Sequence, residues 1–159
     1  MTIWIDADSL PREAKAIIGR RASRSSPAQP LQAVFVANRK ILLPPGNKVS
    51  TLLVPPGEGN ADERLLTEAK PGDMIITRDI PLASRAVAAG IMTLNDHGER
   101  WTADTVRERL SVRDHMAALR EAGLAAGLDK ARSYGSKETR AFADALDRAI
   151  STAMRGDVT

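Results

Sequence analysis

Asp6, Asp8, Asp62 and Asp79 are the residues of this sequence whose type and spacing suit them to chemistry. Asp6 and Asp8 follow the apolar run Ile3-Trp4-Ile5, Asp62 comes shortly after Leu52-Leu53-Val54, and Asp79 comes just after Met74-Ile75-Ile76-Thr77. Ligands of open α/β sheets bind beyond the carboxyl ends of the strands, so acids at several such ends meet in space although they are distant in sequence. Taken alone, each Asp is better explained as a helix cap. Taken together they need more, because two carboxylates about 4 Å apart repel by roughly 4 kcal/mol at an effective dielectric of 20. A cluster of them calls for a cation or for raised pKa values. An all-carboxylate donor set points to Mg²⁺ or Mn²⁺. Ions held in this way activate water and neutralise phosphoryl oxygens, so hydrolysis of a phosphodiester or phosphomonoester is the reaction class.

Other chemistries find little support. The chain has no cysteine, which removes disulfides, thiolate zinc sites and thiol nucleophiles together. Its two histidines, His97 and His115, lack metal-ligand spacing to each other, and polar packing is the simpler account of both. No Gly-Lys-Ser/Thr sequence offers a P-loop, and no Ser-His-Asp order offers an acyl-transfer site. Gly57-Glu58-Gly59-Asn60-Ala61-Asp62 imitates a dinucleotide fingerprint, but its third glycine is an aspartate and it does not follow the first strand. Asp6-Ala7-Asp8 also resembles the nucleophile and general acid of haloacid-dehalogenase-like phosphatases. Such an enzyme needs a late acid after a strand, whereas Gly72-Asp73 precedes Met74 to Thr77.

The elements that must position these acids are legible as hydrophobic patterns. Ile3 to Ile5 reads as a strand, and Ser9 with Pro11 signals the start of a helix carrying Ala14, Ile17 and Ile18. The same strand-turn-helix unit is expected from Leu31 to Val36, from Leu52 to Val54 before Asn60-Ala61-Asp62, and from Met74 to Thr77 before Asp79 and Pro81, with Gly90 closing that last helix. Ile91 to Leu94 adds a strand, and Thr102 caps a helix through Val106 and Leu110 to about Leu119. Ser23 to Pro30 and Pro44 to Ser50 read as surface loops, and Gly123 to Gly135 as an irregular connection. Phe142, Leu146 and Ile150 then recur on a final helix that packs back on the body. Alternating strands and helices predict a three-layer α/β/α sandwich around a mostly parallel sheet.

Composition sets the outer bounds. A chain of 159 residues with 43% hydrophobic and 27% charged residues predicts one globular domain, residues 1–159, with 123–159 as its C-terminal helical extension. No apolar run reaches the ~20 residues that span a bilayer, and Met1 leads directly into the first strand, so a cytoplasmic protein is expected. A net charge of +3 permits a polyanionic partner without demanding one. Arg12, Lys15, Arg20, Arg21 and Arg24 crowd the first helix against one acid, Glu13. That basic flank is a candidate nucleic-acid contact, with a solvated helix face as its alternative. Aromatic residues are only 3%, which disfavours a protein that grips single strands by stacking on bases.

The segments Ile3-Trp4-Ile5-Asp6-Ala7-Asp8, Gly59-Asn60-Ala61-Asp62, Ile76-Thr77-Arg78-Asp79-Ile80-Pro81-Leu82-Ala83 and Gly98-Glu99-Arg100-Trp101-Thr102 resemble the bacterial YaiI/YqxD family. The likeness runs through Arg140-Ala141-Phe142. It implies membership of the PIN-like group of nuclease folds, in which a first-strand Asp, an acid opening a later helix and an Asp after Thr-x form the metal site. Asp6, Asp62 and Asp79 match those positions, and Arg78 joins Arg12, Lys15, Arg20 and Arg21 as a candidate nucleic-acid contact. The pattern departs from PIN-like nucleases in lacking a helical Glu between the first strand and Asp62, with Asp8 or Glu58 as substitutes. Within the resembled family, Leu10 stands where cysteine is common, and Asp96-His97 where Pro-Arg is usual. The resulting expectation is a nuclease dependent on Mg²⁺ or Mn²⁺, acting on RNA or another nucleic acid through Asp6, Asp8, Asp62 and Asp79. The alternatives are a non-catalytic nucleic-acid or protein-binding module and a haloacid-dehalogenase-like phosphatase.

Overall fold

A computed structural model describes residues 1–124 and 134–156 of the chain. Six strands form one sheet in the order β3-β2-β1-β4-β5-β6: β1 (Thr2–Asp6), β2 (Gln32–Ala37), β3 (Val49–Leu53), β4 (Met74–Ile76), β5 (Met92–Leu94) and β6 (Arg100–Trp101). The first five run parallel, and β6 returns antiparallel to β5. The helices are α1 (Arg12–Ser23), α2 (Asn60–Glu68), α3 (Ile80–Ala88), α4 (Ala103–Glu121) and α5 (Ser136–Arg155). The three-layer α/β/α sandwich expected from the sequence is therefore present.

Alternation along the strands assigns the layers. Ile3 and Ile5 point to the side where Ala14, Ile17 and Ile18 of α1 meet Phe142, Leu146 and Ile150 of α5 over Phe35 and Ile76. Trp4 points the other way, toward Leu65 and Leu66 of α2 and toward Leu82 and Ala86 of α3. The crossover from β1 to β2 moves one way along the sheet and those from β3 to β4 and from β4 to β5 move the other way, and a right-handed path for each puts α1 on one face and α2 and α3 on the other. α4 lies outside α3, held through Val106 and Leu110 against Ala83 and Trp101.

Local chemistry explains where the helices begin. Asp79 caps α3, its Oδ1 accepting from the Leu82 N–H at 2.8 Å, with Pro81 in the first turn and Gly90 in the left-handed region (φ 73°) just past the end. Thr102 and Thr105 form a reciprocal capping box for α4. α1 has Pro11 at its cap position, whose ring carries no acceptor, so it starts without a side-chain cap bond.

One sequence expectation needs correction. Leu31 to Val36 was expected to open a strand-turn-helix unit, but β2 returns to β3 through residues 38–48 with no helix. Ile41 and Leu43 of that crossover pack on the α1-side core in place of a helix face. The short β6 was not foreseen. The irregular connection expected from Gly123 to Gly135 falls largely outside the described residues. Among the described residues no helix is long and apolar enough to cross a membrane.

Candidate active site

β1 and β4 are neighbours whose chains depart in opposite directions, so the crevice beyond their carboxyl ends is the switch point where open α/β sheets bind ligands. Asp6 ends β1 on the same face as Trp4, which directs it toward the layer of α2 and α3. Its carboxylate is 6% exposed, and Oδ2 accepts a 2.7 Å hydrogen bond from the buried Thr77 hydroxyl. Thr77 Oγ1 in turn accepts from the Asp79 N–H at 2.9 Å. One side chain thus ties the end of β1 to the cap of α3.

Asp62 occupies the first turn of α2 but does not cap it; Gly59 holds the cap position, and α2 has no side-chain cap bond. Its carboxyl is pushed up to about 6, first by burial, then by the charges of Asp79 and Asp6, against a lowering influence from Arg85. A first-turn acid normally profits from the helix dipole, so the upward shift shows burial, with the neighbouring carboxylates adding to it, outweighing that benefit. Three acids from three elements, Asp6, Asp62 and Asp79, are thereby brought within electrostatic reach. Arg85 faces Asp62 from α3 while holding Glu63 at 2.6 Å.

Asp8 goes elsewhere. Its carboxylate accepts from the Asn38 N–H and from Arg39 Nε, at 3.3 and 3.2 Å, beside the end of β2. Glu58 is exposed in the loop before α2. Asp73, the acid a phosphatase site would need, accepts from the Thr2 N–H at 2.8 Å and Trp4 Nε1 at 3.1 Å, at the opposite end of the sheet. The arrangement leaves the haloacid-dehalogenase comparison with one of its acids in the crevice.

The basic residues divide. Lys15 reaches back to the Ala7 carbonyl at 3.0 Å, and Arg12 opens α1 at the same edge. Arg20 lies eight residues on, about 12 Å along the helix axis and toward the opposite edge of the sheet. Arg21 is paired with Asp147 of α5. Arg78 makes a two-pronged ion pair with the fully buried Asp96, its Nε donating to Oδ1 at 2.7 Å, and its guanidinium lies 5.9 Å from the Tyr134 ring centre. The Tyr134 hydroxyl donates to the Asp96 carbonyl at 2.8 Å. His97 packs against Tyr134 and, with Arg78, Asn95 and Arg109, lines a shallow hollow near the crevice.

Sequence reasoning missed Thr77, Arg85 and Ser9 as parts of this site. Ser9 Oγ donates to the Asp6 carbonyl and accepts from the Arg78 N–H, both at 3.2 Å, joining the turns after β1 and β4. A hydroxyl ending an otherwise apolar strand was the available signal for Thr77; Arg85 carried none.

Among the described residues, no group of three or more His, Asp or Glu side chains is arranged to hold a metal ion. Three like charges in one crevice favour standing apart. The donors are nonetheless all carboxylate oxygens, the set a hard cation takes, and Mg²⁺ commonly uses one or two carboxylates and keeps several waters. The chemistry of the donor set fits such an ion.

Residues 4–152 match the family described as "Uncharacterized BCR, YaiI/YqxD family". The chain belongs to the YaiI/YqxD family. A UPF0178 protein of Syntrophobacter fumaroxidans is 44% identical over 151 residues, covering 94% of each chain. The UPF0178 protein YaiI of Escherichia coli is 40% identical over 148 residues, 93% of each chain, and a UPF0178 protein of Pectobacterium atrosepticum is 39% identical over 148 residues, 93% of this chain and 95% of that one. No solved structure matches the chain.

Proposed function

We propose that this YaiI/YqxD-family protein hydrolyses phosphodiester bonds of nucleic acid, RNA foremost, with Mg²⁺ or Mn²⁺ held by Asp6, Asp62 and Asp79. The observation that carries the reading is the carboxyl of Asp62, raised to about 6 by burial and by Asp79 and Asp6 at the β1–β4 switch point. The bound ion would supply neutralisation of phosphoryl charge and activation of water. Thr77 fixes the Asp6 carboxylate, and the α3 cap fixes Asp79. Asp62 makes no hydrogen bond among the described residues, which leaves its carboxylate oxygens to the ion, and burial with the charges of Asp79 and Asp6 raises its carboxyl to about 6 for as long as no cation offsets them. Arg12 and Lys15 at the same sheet edge meet backbone phosphates.

The test is a panel of labelled single- and double-stranded RNA and DNA with Mg²⁺ and Mn²⁺. Cleavage abolished by EDTA is expected, falling by roughly 10²-fold or more in Asp6→Asn, Asp62→Asn and Asp79→Asn, the scale of a positioned acid–base or electrostatic group. With Mn²⁺ at about 100 times its Kd, the parent should gain roughly 2.7 kcal/mol and the Asn variants much less. Cleavage indifferent to EDTA, or a Mn²⁺ shift shared by parent and variants, refutes the reading. A non-catalytic binding module is the second reading, favoured by the lack of a ready-made metal-holding group among the described residues. Metal-dependent stabilisation without hydrolysis of any substrate would select it.

A further inference from the structure

We infer that β3 is a docking edge for a second copy of this chain, pairing antiparallel across a two-fold axis at Thr51. The inference stands apart from any hydrolytic activity. β3 closes one side of the sheet and pairs with β2 in the register Ala33↔Val49 to Ala37↔Leu53. The Ala33 N–H donates to the Lys48 carbonyl at 2.9 Å and the Val54 N–H to the Ala37 carbonyl at 3.0 Å. The alternation of a parallel ladder then turns the backbone groups of Ser50 and Leu52 toward β2, and those of Val49, Thr51 and Leu53 outward. Among the described residues these three outward N–H groups have no partner.

Sheet edges are ordinarily blunted by Pro, by an inward or lateral charge, by a bulge or by brevity. Val49-Ser50-Thr51-Leu52-Leu53 contains no charge, Pro or Gly and has an unbroken register. Lys48, the nearest cation, is turned away to Ser25 Oγ at 2.8 Å. Leu53 is 52% exposed, and Leu42, on the crossover that delivers the chain to β3, is 87% exposed. Of the four large exposed hydrophobic residues among those described, Leu53 lies on this edge strand and Leu42 on the crossover that leads into it.

Self-complementarity identifies the occupant. Centred on Thr51, an antiparallel pair sets Thr51 opposite itself and Val49 opposite Leu53 of the second copy, using every free N–H and carbonyl of the three outward residues. Thr–Thr and apolar cross-strand pairs are favourable. Centring on Leu53 would place Thr51 opposite Pro55, which has no N–H, and centring on Val49 would leave Leu53 beyond the pairing. Centring on Ser50 would set Leu53 opposite Asn47, outside β3, and centring on Leu52 would set Val49 opposite Pro55, so the Thr51 register alone pairs all three outward residues with one another, and its symmetry closes the assembly at two. A five-residue strand, about 17 Å long, buries less than a permanent interface requires, so the dimer should form reversibly in the micromolar range.

Sedimentation of the full chain across roughly 1–300 μM should show a monomer–dimer equilibrium and no larger species. Leu53→Lys and Thr51→Pro should each weaken it by at least about tenfold. Leu53→Lys, whose side chain is already half in solvent, should melt like the parent at low concentration, which separates lost pairing from lost folding. In this cysteine-free chain, Thr51→Cys should be joined to itself by a short bis-maleimide, and Ser111→Cys on the exposed side of α4, at the other side of the sheet, should not. A monomer at every concentration, a dimer retained in Leu53→Lys, or a ladder of higher species overturns the inference. So does a monomer whose β3 edge takes up only a strand of another protein.

Discussion

Asp62 carries a carboxyl raised to about 6 from an ordinary 3.8, so the folded protein holds its proton more tightly than the unfolded chain does. Stability from this group is fully present below about pH 4 and is lost as pH rises through 6. Because the side chain is only partly buried, solvent screening reduces the effect to about 1 kcal/mol. Asp62→Asn should therefore melt about 2–4 °C above the parent at pH 7.5, a difference that vanishes near pH 4. Melting curves across that range check it, and a constant offset at both ends would show that charge is not the cause. Asp79 behaves differently, since it also caps α3. The sequence could not separate these roles: both acids stand near helix starts, and only the left-handed Gly59 at the cap of α2 reveals that Asp62 is free of capping duty.

At the level of elements, the Arg78–Asp96 pair ties the turn between β4 and α3 to the loop between β5 and β6. Its partners are unequal, because Asp96 is fully buried while the Arg78 side chain is 41% exposed. Removing the arginine strands a buried charge; removing the aspartate leaves a cation that water can reach. Arg78→Ala should cost about 3–5 kcal/mol, Asp96→Ala clearly less, and the double variant less than Arg78→Ala alone. Urea melts of the four proteins test this ordering, and equal costs for both single variants would contradict it. The same loop shows why Gly98 is glycine: its φ is 85°, and an added Cβ would meet the Ala145 Cβ of α5 at 2.5 Å. Strands and helices were mostly legible from apolar runs and from Thr102, Asp79, Pro81 and Gly90. The helix-free return from β2 was not, because Ile41 and Leu43 spread their burial over an irregular path that no periodicity marks.

For the whole molecule, the strand order decides which cations can act at the acidic crevice. Arg12 and Lys15 lie at the carboxyl edge of the sheet, whereas Arg20 is carried to the other edge and Arg21 is paired with Asp147. If RNA is bound at the crevice, Arg12→Gln with Lys15→Gln should reduce the slope of log K against log salt by about 1.4, and Arg20→Gln should leave it unchanged. An equal flattening by all three would place the polyanion along the full length of α1. The sequence placed these four cations on one helix and the acids at strand ends, yet it could not show that the cations belong to different sheet edges. That distinction comes from the direction of α1 relative to the strands.

α5 supplies Phe142, Leu146 and Ile150 to the core that covers Ile3, Ile5 and Phe35. The first strand is thus roofed by the last helix. During synthesis at the ribosome, α1 follows β1 and covers part of this face through Ala14, Ile17 and Ile18, but the remainder of its cover is missing until α5 arrives. This half of the protein completes its fold late and all at once, and in the interval it is a natural client for chaperones that hold exposed apolar strands.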